Sequence, residues 1–268
     1  MSIPLDVIIL AWNGQEVIGA CLRSVRLLTS VSVTVVDNAS TDRTPDLVRE
    51  VSPAARLICN DQNVGFAAAC NQAIRATRAP FCLLLNQDAV IVPEGIGALL
   101  SHLQHAPRCA AAGGRIENPD GSLQPSMGPF PHPVRVLLDR IPGARLLLPS
   151  HTYRHPWFYV GARQPAWLTG SCLLMRREAF DNVGPLDESY FLYTEDLEWC
   201  VRARKKGWTI QYLPVRTAIH ADHGRRPDRA PQKAKLMRSG LQRYFRTHGT
   251  KADDRVFRFL LALERRFR

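Results

Sequence analysis

The sequence is poor in the features that mark membrane, secreted and metal-stapled proteins. It has no run of 18 apolar residues, so no segment reads as a membrane span. It has no basic start followed by a small-residue cleavage site, and Asp6 sits in its first apolar stretch, so no signal peptide is read and a cytoplasmic protein is expected. It has no CxxC pair. Its seven cysteines (Cys21, Cys59, Cys70, Cys82, Cys109, Cys172 and Cys200) are odd in number, scattered, and mostly among apolar neighbours. That pattern argues against zinc sites and disulfides and for buried free thiols. Methionines number four, and no internal repeat is visible.

The remainder is ordinary for a globular chain. There are 268 residues, 46% apolar and 22% charged, enough for one well-buried α/β domain and an extension. Acidic residues are scarce in one place. Residues 216 to 268 hold 15 Lys/Arg against 5 Asp/Glu, a net +10 of the chain's +11. The basic character therefore belongs to the tail and not to residues 1–215. Lacking a recognised binding motif, it does not argue for nucleic acid.

Periodicity gives the architecture. Leu5–Trp12 is a β-branched apolar run ending at Asn13-Gly14, the pattern of a buried parallel strand. Apolar residues at helical spacing follow over Gln15–Leu28. Val31–Val36 is a second strand, and Thr44-Pro45 opens a helix with Thr44 as its cap. Arg56–Cys59, Phe66–Thr77 and Phe81–Leu85 read as strand, helix and strand. This alternation predicts a doubly wound, mostly parallel sheet with helices on both faces and ligands at the carboxyl ends of its strands. Residues 113–165 are rich in Pro and Gly and show little periodicity. Trp167–Arg176 and Trp208–Leu213 read as strands, the second ending before Pro214. Asp196–Lys206 reads as a helix capped by Thr194, and the tail carries helical patterns around Ala234–Arg246 and Asp253–Phe267.

Polar clusters fall at the expected ligand edge: Ala11–Asn13, Asp37–Ser40 and Asn86–Asp88. Asp37 is placed either to accept from a ribose or base, or to cap a turn. Asn63-Val64-Gly65-Phe66 opens a helix whose free N–H groups can face phosphate, with Phe66 and the following alanines packed in the core. Asp88 is a lone strand-end carboxylate, suited either to a divalent cation or to a turn. Glu195, Asp196 and Glu198 crowd one helix start, where acids also complement the helix dipole. Trp167 offers an aromatic face for a sugar ring, or for the core.

Four segments in this order, VVDNAS (35–40), NVGFAAACN (63–71), LLLNQDA (83–89) and GPLDESYFLYTEDLEWCVRARKKGW (184–208), resemble family 2 glycosyltransferases of the GT-A fold, closest to a bacterial rhamnosyltransferase-like branch. The likeness runs over residues 3 to 224. It implies a GT-A catalytic domain over 1–224, with a nucleotide-sugar half (1–112) and an acceptor and catalytic half (113–224), then a basic helical extension over 225–268. It also implies a metal-dependent, inverting transfer of a sugar, L-rhamnose from dTDP-rhamnose first and uridine-diphosphate sugars next, to a hydroxyl of a glycan, lipid-linked glycan or small molecule. Ala11, Trp12, Asn13, Asp37, Asn38, Asn63, Gly65, Asn86 and Asp88 would bind the donor. Asp88 would hold Mg²⁺ or Mn²⁺, joined by His220, with His223 in reserve. Asn86 stands where the family's metal motif has its first acid. Asp196 would be the base, with Glu195 positioning it or the acceptor. Trp167, Gly170 and Glu195 would line the acceptor site. Glu198 replaces a more usual Asp. The alternative is an inactive nucleotide-sugar-binding scaffold of the same fold. A glycoside hydrolase also pairs carboxylates, but leaves the phosphate-binding architecture without a task.

In the tail, Val256, Leu260, Leu263 and Phe267 form one helical stripe, with Phe257 and Leu261 beside it and Arg255, Arg258, Arg265 and Arg266 flanking. Such a helix either packs on the catalytic body or lies on anionic lipid, which would make the protein peripheral at the inner face of the membrane.

Overall fold

The structure, a computed structural model, describes residues 4–138, 152–222 and 230–266. The β-α alternation is realised as expected. Strands β1 (Leu5–Ala11), β2 (Val31–Asp37), β3 (Arg56–Cys59) and β4 (Phe81–Asn86) alternate with helices α1 (Ile18–Val25), α2 (Thr44–Val51) and α3 (Phe66–Ala76). There follow β5 (Ala89–Ile91), α4 (Pro93–His105), β6 (Cys109–Glu117), β7 (Leu123–Gln124), β8 (Met127–Gly128) and α5 (Pro133–Leu138). The chain continues through β9 (Trp167–Leu168), β10 (Cys172–Arg176), α6 (Arg177–Val183), α7 (Glu195–Lys205), β11 (Thr209–His220), α8 (Ala230–His248) and α9 (Lys251–Arg266). Nine strands form one sheet in the order β3-β2-β1-β4-β10-β6-β11-β5, with β7 beside β6. β1, β2, β3 and β4 pair in parallel, and β10 runs antiparallel to β4.

Both faces of the sheet are covered, as a near-continuous apolar strand requires. On β1, Leu5, Val7, Ile9 and Ala11 join one apolar layer with α1 and α4, and Ile8 joins the other with α3, α6 and α7. Leu83 and Leu85 against Cys82 and Leu84 repeat that alternation on β4. Six of the seven cysteines are buried, Cys59 is exposed, and all are free.

Four sequence expectations change. Thr44 lies inside α2; its hydroxyl accepts from the Gly14 N–H at 2.8 Å, and Asp42 accepts from the Thr44 N–H at 3.0 Å. Trp167–Arg176 is interrupted at residues 169–171, which separate β9 from β10. β11 does not end before Pro214: it runs on to His220, with its register against β6 shifting between Tyr212 and Arg216, so the missing proline N–H costs no ladder bond. The irregular stretch expected from Gly113 begins inside β6, whose Ala and Gly residues hide it from strand propensity. Those small side chains have a reason, since a Cβ on Gly114 would lie 2.3 Å from Thr217 Cγ2 of β11.

The tail helices pack on the body. Leu241, Tyr244 and Phe245 of α8 and Phe257 of α9 belong to the same apolar layer as Trp199 of α7. Among the described side chains of α9 the buried one is Phe257, beside the expected stripe, while Val256 is exposed and Leu260 half-buried. The side chain of Leu263, all of Phe267, and His223 lie outside the described residues. Among the described residues no helix is long and apolar enough to cross a membrane.

Candidate active site

Parallel register brings three of the polar clusters into one row. Ala11 pairs with Asp37 and Leu10 with Asn86, so the first βα turn, the Asp37 turn and the Asn86–Asp88 turn share one sheet edge. Short bonds hold this edge. Asn13 N–H donates to Ser40 Oγ at 2.9 Å, and Asn13 Oδ1 accepts from Thr41 N–H at 2.9 Å. Gln87 bridges β1 and β4 reciprocally, accepting from the Trp12 N–H and donating to its carbonyl, both at 3.0 Å. Trp12 itself is exposed at the rim.

Asp37 is 3% exposed. One of its oxygens accepts from the Ser40 N–H at 3.0 Å, while the other, Oδ1, is buried without a hydrogen-bond partner. A buried carboxylate oxygen left unpaired is costly, so it marks a position at which a donor is missing. Asn38 is committed to the fold. Its amide donates to Asn63 Oδ1 at 2.9 Å and accepts from the Val64 N–H and the Asn60 amide, both at 3.1 Å. Asn63 Oδ1 also takes the Gly65 N–H at 3.0 Å. Gly65, at φ 87°, lets the start of α3 meet the loop before α7: a Cβ there would lie 2.6 Å from the Phe191 carbonyl, which accepts from the Phe66 N–H at 2.7 Å.

Asp88 meets His220 although 132 residues separate them. His220 Nε2 lies 3.0 Å from Asp88 Oδ1 and 3.2 Å from the Asn86 amide nitrogen, and the imidazole is buried at 6% exposure. Gln124 settles the tautomer. Its amide nitrogen donates to the His220 carbonyl at 3.2 Å and to Asn118 Oδ1 at 2.9 Å, so its oxygen faces His220 Nδ1 at 2.7 Å and takes a proton from it. With Nδ1 bonded to Gln124, Nε2 is left facing the Asp88 carboxylate oxygen, a pair that a proton or a cation can bridge. One carboxylate oxygen and one imidazole nitrogen facing one another could share a divalent cation. Among the described residues no cluster of three or more His, Cys, Asp or Glu forms a self-sufficient metal site.

The acidic pair sits at the start of α7. Tyr193 and Thr194 precede it at φ 68° and 83°, left-handed conformations that cost an L-residue roughly 1–2 kcal/mol each. Thr194 occupies the cap position without a side-chain capping bond. The Asp196 carboxylate accepts from the Gly170 N–H and from its own Leu197 N–H, each at 2.7 Å. Burial raises its pKa, while those two N–H groups pull it back down. Glu195 is more deeply placed, at 4% exposure, with Oε2 unpartnered; burial first, and then the neighbouring Asp196 charge, push its pKa well above the carboxylate range. Residues 169–171 join the two ends of the site, since the Ser171 carbonyl accepts from the Asn86 N–H at 3.0 Å while Gly170 holds Asp196. Trp167 packs in the core with its indole N–H unpartnered.

Sequence reading passed over Gln87 and Gln124. Gln87 was within the motif itself, but nothing local in the sequence connects Gln124 to a histidine 96 residues away.

A model of the family described as "Glycosyl transferase family 2" matches residues 6–184. N-acetylglucosaminyl-diphospho-decaprenol L-rhamnosyltransferase of Mycobacterium tuberculosis is 32% identical over 241 residues, covering 82% of this chain and 76% of that protein. Among solved structures, the mannosyltransferase PcManGT of Pyrobaculum calidifontis, in complex with GDP-Man and Mn²⁺, aligns with TM-score 0.61 at 17% identity over 97% of this chain and 74% of that one. S. aureus TarS (residues 1–349) aligns with TM-score 0.57 at 15% identity over 93% of this chain and 74% of that one. The curled mixed sheet, the polar strand-end row and a family match spanning most of the chain lead to one conclusion: this protein is a family 2 glycosyltransferase with the GT-A fold.

Proposed function

We propose that the chain transfers L-rhamnose from dTDP-L-rhamnose, with inversion, to a hydroxyl of a polyprenyl-diphosphate-linked N-acetylamino sugar. The carrying observation is the Asp196 carboxylate, lifted in pKa by burial and tied through residues 169–171 to the Asp88 end of the site. The L-rhamnosyl group and the acceptor are suggested by the name of the 32%-identical mycobacterial relative.

In this reading the unpaired Asp37 Oδ1 accepts from the base or ribose. The backbone of residues 11–13 and the Asn63–Gly65 turn line the nucleotide, with Asn38 fixing that turn from beneath. Asp88 and His220 would hold a divalent ion, Mg²⁺ or Mn²⁺, beside the diphosphate, and Mn²⁺ accompanies GDP-Man in the mannosyltransferase neighbour. Such an ion neutralises the charge that builds on a departing diphosphate. Asp196 takes the proton from the acceptor hydroxyl as its oxygen attacks the anomeric carbon, and the carbon–phosphate-oxygen bond breaks on the opposite face. The attack in one step inverts the anomeric centre. Glu195, its pKa raised by burial and by the neighbouring Asp196 charge, supports Asp196 and the acceptor. Gly170 lines the acceptor side, and Trp167, assigned to that side from the sequence, lies in the core instead. A lipid-linked acceptor also suits peripheral contact between anionic lipid and the exposed Val256, Phe259, Arg255 and Arg258 of α9.

The test is a thermal-shift panel of nucleotide sugars with Mg²⁺ or Mn²⁺, followed by turnover with a short-chain polyprenyl-diphosphate N-acetylglucosamine. A donor at 100 times its dissociation constant adds about 2.7 kcal/mol of stability. A response to uridine-diphosphate sugars in place of dTDP-rhamnose would reassign the donor, and no response to any nucleotide sugar would remove the reading. Co-sedimentation with anionic vesicles at low salt tests the lipid contact, which fails if the intact protein stays in the supernatant.

A further inference from the structure

The basic tail contacts the loop that carries the acidic pair. α8 lies against that loop so closely that Gly240 admits no side chain. A Cβ there would sit 2.4 Å from Thr194 Oγ1 and 3.0 Å from the Tyr193 carbonyl. These are the two residues with left-handed backbone directly before Glu195 and Asp196. Such conformations persist only where the surroundings over-determine them. The loop is gripped on its other side by the Phe66 N–H bond to the Phe191 carbonyl.

Further contacts run from the same helix. Lys233 Nζ lies 5.3 Å from the centre of the Tyr193 ring and 2.9 Å from both carboxylate oxygens of Asp222, two residues beyond His220. Arg243 lies 5.6 Å from the centre of the Tyr190 ring and 3.7 Å from Asp187. His248, stacked on Tyr244, places Nε2 3.0 Å from Glu198 Oε1 on the first turns of α7. Glu198 is 1% exposed and is also held by Arg202 at 2.6 and 3.0 Å. An aspartate, one methylene shorter, has less reach toward both partners. Glu198 thus links α7 to the tail through His248 while bonded to Arg202 of its own helix.

We infer that α8 is a positioning element of the active site, in which Gly240 and His248 hold the first turn of α7, and so the Asp196 carboxylate, in register with Gly170. This rests on the reading of Asp196 as the base. The tail is then required for turnover whether or not it touches lipid.

The experiment uses the full chain. Gly240→Ala pushes on Thr194, and Thr194→Gly removes the two nearest atoms it meets while accepting the positive φ. His248→Gln keeps a donor for Glu198, whereas His248→Ala does not. Two quantities are read: hydrogen exchange of the Gly170 and Leu197 amides, which are bonded to Asp196 and need no substrate to be observed, and kcat against donor KM. Gly240→Ala and His248→Ala are expected to speed exchange at those two amides several-fold and to lower kcat about 10- to 100-fold at unchanged donor KM. Thr194→Gly in the Gly240→Ala background, and Gln in place of Ala at 248, are expected to restore both. Unchanged exchange and kcat in Gly240→Ala overturn the inference. Loss of donor binding in step with kcat, without rescue, means general disruption and overturns it as well. Asp196→Asn is the separate control: if it turns over normally, the base assignment fails and takes this inference with it.

Discussion

The two ends of the site are built differently. At the donor end, Asp37, Asn63 and Asp88 lie in short motifs at the ends of parallel strands, and much of their support is local: Asp37 caps Ser40 three residues on, and Asn63 caps Gly65 two residues on. At the base end, Asp196 is held by Gly170, 26 residues away, and its helix is held by Glu198–His248 and by Gly240 against Thr194. The donor end rests in part on each strand terminus and the turn it enters, with His220 and Gln124 brought to Asp88 from distant segments. The base end is a property of the assembled fold and carries backbone strain that the assembly must sustain. Perturbations at the first should act on binding, and perturbations at the second on turnover.

The largest effect is expected at Asp88. Asp88→Ala removes the one carboxylate facing His220 Nε2, so metal-dependent donor binding by calorimetry should disappear. The contrast between the ends breaks if the variant binds donor normally, or if the native protein is fully active in chelator.

Asp196→Asn should lower kcat about 10²- to 10⁴-fold while donor affinity survives. The acid limb of the native kcat profile reports the same group. Burial raises the Asp196 pKa, so the base is lost on acidification at a higher pH than for an exposed aspartate. The variant's residual rate should show no such limb. A variant that loses donor binding instead would merge the two ends into one.

The smallest effect concerns stability. Glu195 has its pKa raised by burial and by Asp196, so the folded state binds its proton more tightly than the unfolded state does. A raised carboxylate pKa contributes stability below the unfolded pKa and loses it as pH rises toward the folded value. Glu195→Gln should therefore raise the unfolding temperature at neutral pH, and the gain should vanish at acidic pH. A destabilised variant at neutral pH would mean that the glutamate is ionised and paired in the folded protein.

Much of the fold was legible. β1 to β4 and the helices between them followed from apolar runs, helical spacing and turn residues, with boundaries off by a few residues. β6 was missed because Ala110–Gly114 carry almost no strand signal; β11 was cut short because Pro214 reads as a terminator away from its bulge. In the tail, periodicity marked a stripe one position away from the residue that docks: Phe257 is buried and Val256 is not. Helical spacing alone cannot choose between adjacent apolar rows when both are present.

By itself, the sequence determined what depends on neighbours along the chain: the period of each element, the polar residues at the strand ends, the scattered placing of the thiols, and the concentration of positive charge from residue 216 onward. Only the tertiary structure decided which distant groups face one another. It set His220 against Asp88 with Gln124 fixing the imidazole, left Asp37 Oδ1 without a partner, and pressed Gly240 onto Thr194. The physical reason is that local conformation is governed by sterics and hydrogen bonds over a few residues. The burial that shifts the Asp196 pKa and the packing that admits only glycine arise where segments far apart in sequence compete for the same volume.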